Sequence, residues 1–361
     1  MPGLRWERCI EHRGADALTF VTEYFSGNDR RVALVAGAGF DPRALAVCDR
    51  LVPVCGALQV LLLREERPDP AGELVDRATA NFERFRAHGV EITASTVDIF
   101  GPDNAVIGGR NAVKVVHDYS FDSVTDVIID LSALSVGTSY PIIRYMYERI
   151  RSTGGGQNLH VFVAADPALD EAIRPVAGDT VGFIHGFRGG WALDSTASAA
   201  KLWLPQLARG RNAALQRIHD FLTPHDTCPI LPFPSMRPRQ ADELVQSFTA
   251  EVESAWLVDT RNFVHASDEE PLDLYRTISR IDDLRRPVFA ETGGSLIILS
   301  PMGSKVLALG ALLAALERDL PVAYLEAISY ELVGPPPAIA EPKLIHLWLA
   351  GEVYTGAINE A

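Results

Sequence analysis

Short, unbroken runs of Val, Ile and Leu alternate with amphipathic stretches along almost the whole chain, and this alternation constrains the fold more than any other feature. The runs fall at residues 31–36 (RVALVA), 58–63 (LQVLLL), 91–98, 126–131 (DVIIDL), 159–164 (LHVFVA), 228–231, 295–299 (SLIIL) and 322–325, with 254–263 leading into another. Helical patterns lie between them at 42–51, 73–88, 140–151, 240–256, 271–281 and 305–318. In 73–88, for instance, Leu74, Ala78, Phe82 and Phe85 recur at helical spacing and Gly89 is the stop signal. A strand that is apolar at every position is buried on both faces, and helices on either side of it imply a parallel sheet. The expectation is an α/β protein.

With 361 residues, the chain exceeds what one core usually holds. Two segments repeat in outline. A strand runs into GAGFDPR (37–43) and then a helix, as a later strand runs into PFPSMRPR (232–239) and a helix. VIIDLSALSVG likewise parallels SLIILSPMGSK. The chain therefore reads as two tandem Rossmann-like halves, each doubly wound around a mainly parallel sheet, 1–185 and 186–361. Residues 183–201, rich in Gly, Ser and Thr, read as a connection or hairpin insert. The glycines at 154–156 read as a turn, and Pro335, Pro336 and Pro337 as a stiff local turn.

Charge narrows the partners. Lys and Arg number 33 against 47 Asp and Glu, a net −14, divided as −7 in each half. No basic lobe exists for gripping duplex nucleic acid through its phosphates, so a polyanionic ligand must be small and locally held. Residues 1–16 mix Arg5, Glu7, Arg8, Glu11 and Arg13 and show no apolar core of a signal peptide. The longest nearly uncharged apolar stretch, 306–316, is far short of the ~20 residues a membrane span needs. Cys9, Cys48, Cys55 and Cys228 form no CxxC pair. The expected setting is a reducing cytoplasm, without a membrane.

Ligands of open parallel sheets bind beyond the carboxyl ends of the strands, so the turns there hold the candidate site. In 300–305, Gly303 permits close backbone approach and a helix begins near Ser304, whose hydroxyl is a donor. Free N–H groups, the helix end and Lys305 favour a phosphate there, with Ser300 at the strand end. The GxxxxGK[ST] spacing of a P-loop is absent, and Ser304 equally suits a helix cap. Gly37 and Gly39 begin half of a dinucleotide fingerprint, but Pro42 stands where its third glycine belongs. Asp41 and Pro42 suit a helix start, and Arg43 can reach a phosphate or base. Asp130 and Ser132 follow the strand 126–131. Asp130 can accept a ribose hydroxyl, bind a cation with Asp41 or activate water, or it can simply satisfy nearby N–H groups. His219, His225 and Cys228 lie close in sequence without a fourth ligand at a matching spacing, and read as a polar helix end. No GxSxG, HExxH or paired CxxC motif is present. No metal, cofactor or catalytic residue is assigned.

The unit 295–325, with its Gly303-Ser304-Lys305 turn and a helix rich in small residues before VAYLEA, resembles the carboxy-terminal unit of CARF domains. These are Rossmann-like sensors of cyclic oligonucleotides in which a Gly-Thr-Lys turn faces the ligand, so Ser304 stands where they have Thr. SAVED domains, sensors in bacterial antiviral signalling, resemble two CARF-like units in one chain. The resemblance implies a nucleotide-binding sensor or regulatory subunit of a prokaryotic defence system. A small phosphorylated ligand would touch Gly39, Arg43, Ser132, Gly303, Ser304 and Lys305 between the halves. Such sensors usually carry an effector on the same chain. None is visible here, which implies either a separate effector or complex protein, or a resemblance that reaches only to an ancient nucleotide-binding fold. Two other readings remain open: an enzyme on a nucleotide or sugar phosphate using Asp41 or Asp130, and a structural subunit that binds another protein.

Overall fold

The computed structural model describes residues 4–68, 70–154, 156–189, 198–333 and 341–354. From the amino end, β1 (Ile10–Arg13) leads into α1 (Ala15–Tyr24) and β2 (Val32–Gly37). The helix expected at 42–51 is split into a 3-10 turn, Pro42–Leu45, and the short α2 (Cys48–Leu51). Then follow β3 (Leu58–Glu66), α3 (Gly72–Ala87), β4 (Glu91–Asp98), α4 (Gly108–Asp118), β5 (Asp126–Asp130), α5 (Val136–Ser152), β6 (Asn158–Ala165) and α6 (Pro167–Ala172). After β7 (Ile173–Phe183) come β8 (Ala200–Pro205), α7 (Asn212–Leu222), β9 (Asp226–Thr227), β10 (Ile230–Pro232) and α8 (Gln240–Ser247). The last stretch holds β11 (Val264–Ala266), α9 (Pro271–Phe289), β12 (Ser295–Ser300), α10 (Lys305–Arg318), β13 (Ala323–Leu332) and β14 (Lys343–Ala350).

These elements form two compact units, Met1–Ile173 with Ile328–Ala361, and Arg174–Ala327. The first contains the sheet β1-β14-β6-β5-β2-β3-β4. Its strands from β2 to β6 are parallel, while β14 is antiparallel to both β6 and β1. The parallel strands lie in the order third, second, first, fourth, fifth of a doubly wound α/β fold, with the switch point between β2 and β5. Alternate residues face opposite sides of the sheet. Val32, Leu34, Ala36, Val60 and Leu62 pack with Val21, Phe25, Cys48, Leu51 and Phe85, from the layer of α1, α2 and α3. Ala33, Val35, Leu61 and Leu63 are equally buried, so the opposite face is covered too.

The second unit repeats this order in shorter strands. β12, β8 and β9 form one parallel sheet, and β10 and β11 a parallel pair. Parallel bridges Gln206↔Ile230 and Leu299↔Val322 connect them into the sequence β11-β10-β8-β12-β13. That is again third, second, first, fourth, fifth, with the switch point between β8 and β12. The fold is α/β and Rossmann-like in both units. In α10, ten successive residues from Val306 to Ala315 are buried, and Gly310 meets α9 so closely that a Cβ would lie 2.4 Å from the Pro271 carbonyl oxygen.

The division differs from the expected 185/186 boundary. β14 returns to the first sheet and pairs with β6 and β1, which carries the last part of the chain into the first unit. The stretch read as a connection, 183–201, ends on the first two residues of β8, the first strand of the second unit's sheet, and its residues 190–197 lie outside the described residues. Residues 250–255 form a π-helical turn and 260–262 a 3-10 turn, and the strand into which 254–263 is expected to lead begins at Val264. The three prolines at 335–337 and Gly155 lie outside the described residues.

Candidate functional site

At the switch point of the first unit, the turns after β2 and β5 press against each other. A Cβ on Gly37 would lie 2.8 Å from the Ala133 carbonyl oxygen, so only glycine fits without movement. A Cβ on Gly39 would meet, among the described residues, only that oxygen, at 3.9 Å. Asp41 caps the 3-10 turn, accepting from the Arg43 N–H, and its carboxylate also holds the Arg43 guanidinium. The other side of that guanidinium meets Asp170 of α6 at 2.7 Å. Asn81 of α3 donates to the Gly39 and Asp41 carbonyls and pins the turn from below. Arg43, expected to reach a ligand, is 4% exposed and shared between two carboxylates. Burial opposes its charge, but Asp170 and Asp41 outweigh burial and hold its pKa above the ordinary value.

Asp130 is also turned inward. The Ser132 N–H and Oγ–H both donate to its Oδ1, and Ser132 Oγ in turn accepts from the Ala164 N–H. Burial pushes the Asp130 carboxyl up to about 7, with Asp41 adding to the shift and Ser132 and Arg43 working against it. The amino end of α5 already holds an anion of the protein's own. Glu65, at the end of β3, accepts from the Ser135 N–H at 2.8 Å and pairs with Arg67 at 2.9 Å. Although burial opposes its charge, Arg67 and these hydrogen bonds keep Glu65 below the usual carboxylate range.

Two openings lie in this unit: one borders Arg43 itself, with Asp49, Arg50, Arg84 and Asp166 around it, and the other lies one strand over, beyond the ends of β2 and β3. A cleft there is lined by Gly39, Phe40, Arg64, Glu66, Arg67 and Tyr330, over an apolar floor that includes Leu74 and Val75. Phe40 packs on Tyr330 with ring centroids 5.3 Å apart, and the Arg67 guanidinium lies 4.9 Å from the Tyr330 ring centre. Arg64 and Glu66 form a loose, half-exposed pair at 3.4 Å. Of the residues singled out in sequence, only Gly39 lines this cleft. Arg64 and Arg67 were overlooked because strand-end arginines carry no motif.

At the second switch point, Ser300 links strands: its Oγ accepts from Trp203 Nε1 and donates to the Ala323 carbonyl. Gly303 donates its N–H to Gln206 Oε1 at 3.2 Å, and the same amide's Nε2 donates to the Leu307 carbonyl. Ser304 caps α10 by accepting from the Leu307 N–H, and Lys305 is the first residue of that helix. Gln206 belongs to the turn between β8 and α7, which also carries Arg209, Gly210 at φ +75° and Arg211. The hydrogen bond from Gly303 brings this turn against 300–305. The sequence does not mark this turn, because the short β8 begins at the edge of the Gly- and Ser-rich stretch and its remaining residues, 202–205, carry no strand reading. The topology also re-pairs the repeats. SPMGSK does correspond to the turn after β5, since both follow the fourth strand of their unit. The counterpart of GAGFDPR is the Gln206–Arg211 turn after β8, whereas PFPSMRPR follows a second strand.

His219 packs its ring on Trp256 and Trp203, and His225 Nδ1 accepts from the Lys201 N–H. Among the described residues, no helix is long and apolar enough to cross a membrane.

No family model matches the chain, and neither does any curated protein. Among solved structures, it is similar to a type III CRISPR defence DNA nuclease activated by cyclic oligoadenylate, with 11% identity over 83% of this chain and a TM-score of 0.47. The chain spans 66% of that nuclease's length. It also matches the cytoplasmic domain of a prokaryotic cation chloride cotransporter, with 14% identity, 83% of this chain, 96% of that one and a TM-score of 0.23. A third match is a putative dehydrogenase from Burkholderia cenocepacia with bound NADP, with 10% identity, 74% and 91% coverage and a TM-score of 0.24. Likenesses this distant carry nothing about ligand, activity or partner.

Proposed function

We propose that the protein is a nucleotide-binding sensor or regulatory subunit of a prokaryotic antiviral defence system, with a cyclic or linear oligonucleotide as ligand and a separate protein as effector. One observation supports this reading above the others. The strand order of the first unit recurs in the second, and there Gly303 of the 300–305 turn bonds Gln206, on the turn that goes on to Arg209 and Arg211, at the switch point where open α/β sheets take ligands. Backbone N–H groups at the start of a fourteen-residue helix, together with Lys305, Arg211 and Arg209, whose half-exposed guanidinium pairs with Glu243 at 2.7 Å, suit phosphate oxygens. A net charge of −14 does not oppose this, because oriented dipoles and a few cations act locally. In the first unit, the cleft of Phe40, Tyr330, Arg64 and Glu66 suits a nucleoside: aromatic rings for a base, a carboxylate for ribose hydroxyls and a guanidinium for phosphate. The likeness of Gly303-Ser304-Lys305 to the CARF turn supplies the defence setting.

The test is thermal-shift screening of the protein against cyclic and linear oligoadenylates, other oligonucleotides and mononucleotides. A ligand should raise the melting temperature, and Lys305→Ala or Arg64→Ala should reduce the shift without changing the unliganded melting curve. Absence of stabilisation by every compound refutes the reading.

A further inference from the structure

Away from both switch points, three histidines and an aspartate form a hydrogen-bonded row across four neighbouring strands of the first unit. His12 on β1 lies opposite His346 on β14, with their Nδ1 atoms 3.0 Å apart. His346 Nε2 is 3.0 Å from His160 Nδ1 on β6, and His160 Nε2 is 3.2 Å from Asp126 Oδ1 on β5. His160, His346 and Asp126 are fully buried, whereas His12 is half-buried. Phe20 of α1 stacks on both His12 and His346, with ring centroids 4.4 and 4.3 Å away. Trp348 packs on His160 at 4.7 Å. Aromatic rings thus exclude water from the row between its ends.

The bond pattern assigns each proton. An ionised Asp126 only accepts, so His160 carries its proton on Nε2 and accepts at Nδ1. His346 must then donate from Nε2 and accept at Nδ1, which requires His12 to donate from Nδ1. The free lone pair of the row is therefore at His12 Nε2, on its least buried ring. All three rings are neutral, in agreement with burial, which lowers the pKa of each.

We propose that this row is a proton relay, in which a proton taken up from water at His12 is carried as charge to His160 in the core. As His12 Nε2 gains a proton, its Nδ1 proton passes to His346 Nδ1, and the His346 Nε2 proton passes to His160 Nδ1. One proton has entered and none has left. His12 and His346 end neutral with reversed tautomers, and His160 is an imidazolium against Asp126. The charge is best accommodated at that end. Asp126, Arg30 and Glu352 together carry −1, with Arg30 3.6 Å from Asp126 and 2.9 Å from Glu352. An imidazolium there brings the group to neutrality, whereas His346 has only two other histidines beside it. The remaining groups around the row are Asp16 on α1, which favours protonation of His12, and Tyr24 and Cys55, which face Asp126. Tyr24 and Asn158 donate to the same Asp126 oxygen as His160, so a charged His160 competes for it. The relay makes this end of the sheet, remote from the β2 and β3 ends, responsive to solvent pH.

The experiment is a histidine ¹⁵N NMR titration of the full chain from pH 8 to 5. The expected result is that His12 and His346 exchange tautomers while the imidazolium signature develops at His160. In His346→Phe the row is cut. His12 should then become the imidazolium itself, and His160 should stay neutral over the same range. A wild-type imidazolium on His12, with His160 unchanged, overturns the relay. So does an identical His160 titration in His346→Phe. If that variant fails to fold, His12→Phe at the edge strand replaces it: His160 should remain neutral, and a charged His160 in its absence overturns the proposal.

Discussion

The two switch points occupy the same place in the same strand order, yet they are closed by different chemistry. In the first unit the clasp is ionic: Arg43 lies between Asp41 and Asp170, and Asp130 lies buried beneath Ser132. In the second it is neutral: one buried amide, Gln206, holds Gly303 and the carbonyl of Leu307. A buried ionic clasp is sensitive to losing one partner, because the survivors, here Asp41 and the partly buried Asp170, are left charged with little solvent. An amide clasp is indifferent to pH and releases only ordinary hydrogen bonds. At the first switch point the cation, Arg43, is held in the clasp itself, whereas at the second Lys305 starts α10 and Arg209 and Arg211 lie on the flanking turn, Arg209 paired with Glu243.

The largest expected effect follows directly. Arg43→Ala strands Asp41 and Asp170 and should cost about 3–5 kcal/mol by chemical denaturation. Gln206→Ala should cost about 1–3 kcal/mol, for an unsatisfied N–H and carbonyl and a small void. If the glutamine loss equals or exceeds the arginine loss, the contrast between the two clasps is wrong.

pH should separate them next. Burial pushes the Asp130 carboxyl up to about 7 in the fold, from an ordinary value near 3.8. Its raised pKa contributes stability that is fully present below the unfolded value and is lost as pH rises through about 7. The buried histidines act in the opposite sense: their lowered pKa values remove stability as pH falls below about 6.5. Asp130→Asn isolates the first effect. Relative to that variant, the wild type should lose on the order of 3 kcal/mol between pH 4 and 7. A flat difference curve would mean that Asp130 stays ionised in the fold. Gln206→Ala should show the same difference from wild type at every pH.

A smaller contrast lies within one turn. Gly37→Ala drives a Cβ into backbone and should cost about 1–3 kcal/mol, whereas Gly39→Ala, whose Cβ would meet only the Ala133 carbonyl oxygen among the described residues, at 3.9 Å, should change stability by less than about 0.5 kcal/mol. Equal effects at the two glycines would show that the turns after β2 and β5 can separate.

The α/β class was legible because continuous apolar strands record burial on both faces. The turn 300–305 was legible because glycine, a cap residue and lysine follow a strand. What escaped depends on contacts distant in sequence. β8 carries only six residues, AKLWLP, beside a Gly- and Ser-rich stretch, and its role as the first strand of a sheet comes from pairing with β12 almost a hundred residues later. Arg43 looks like a ligand-binding cation until Asp170 meets it across the fold. The histidine row has no sequence spacing at all: its members are brought together by the pairing of β1 with β14 and β14 with β6.

The smallest effect on stability should give the largest effect on ligand binding. Arg64 and Arg43 both belong to the first unit, and removing either deletes one guanidinium. Arg64 pairs loosely with Glu66, both side chains more than 40% exposed, so Arg64→Ala should change stability by at most about 0.5 kcal/mol. The same substitution takes a cation from the cleft and should diminish a nucleotide-induced thermal shift. Arg43→Ala should do the reverse: it should unfold the turn at much lower denaturant, while any nucleotide shift that survives is governed by Arg64. Loss of binding in Arg43→Ala, at temperatures where the variant remains folded and Arg64→Ala binds normally, would move the ligand from the cleft back to the switch point.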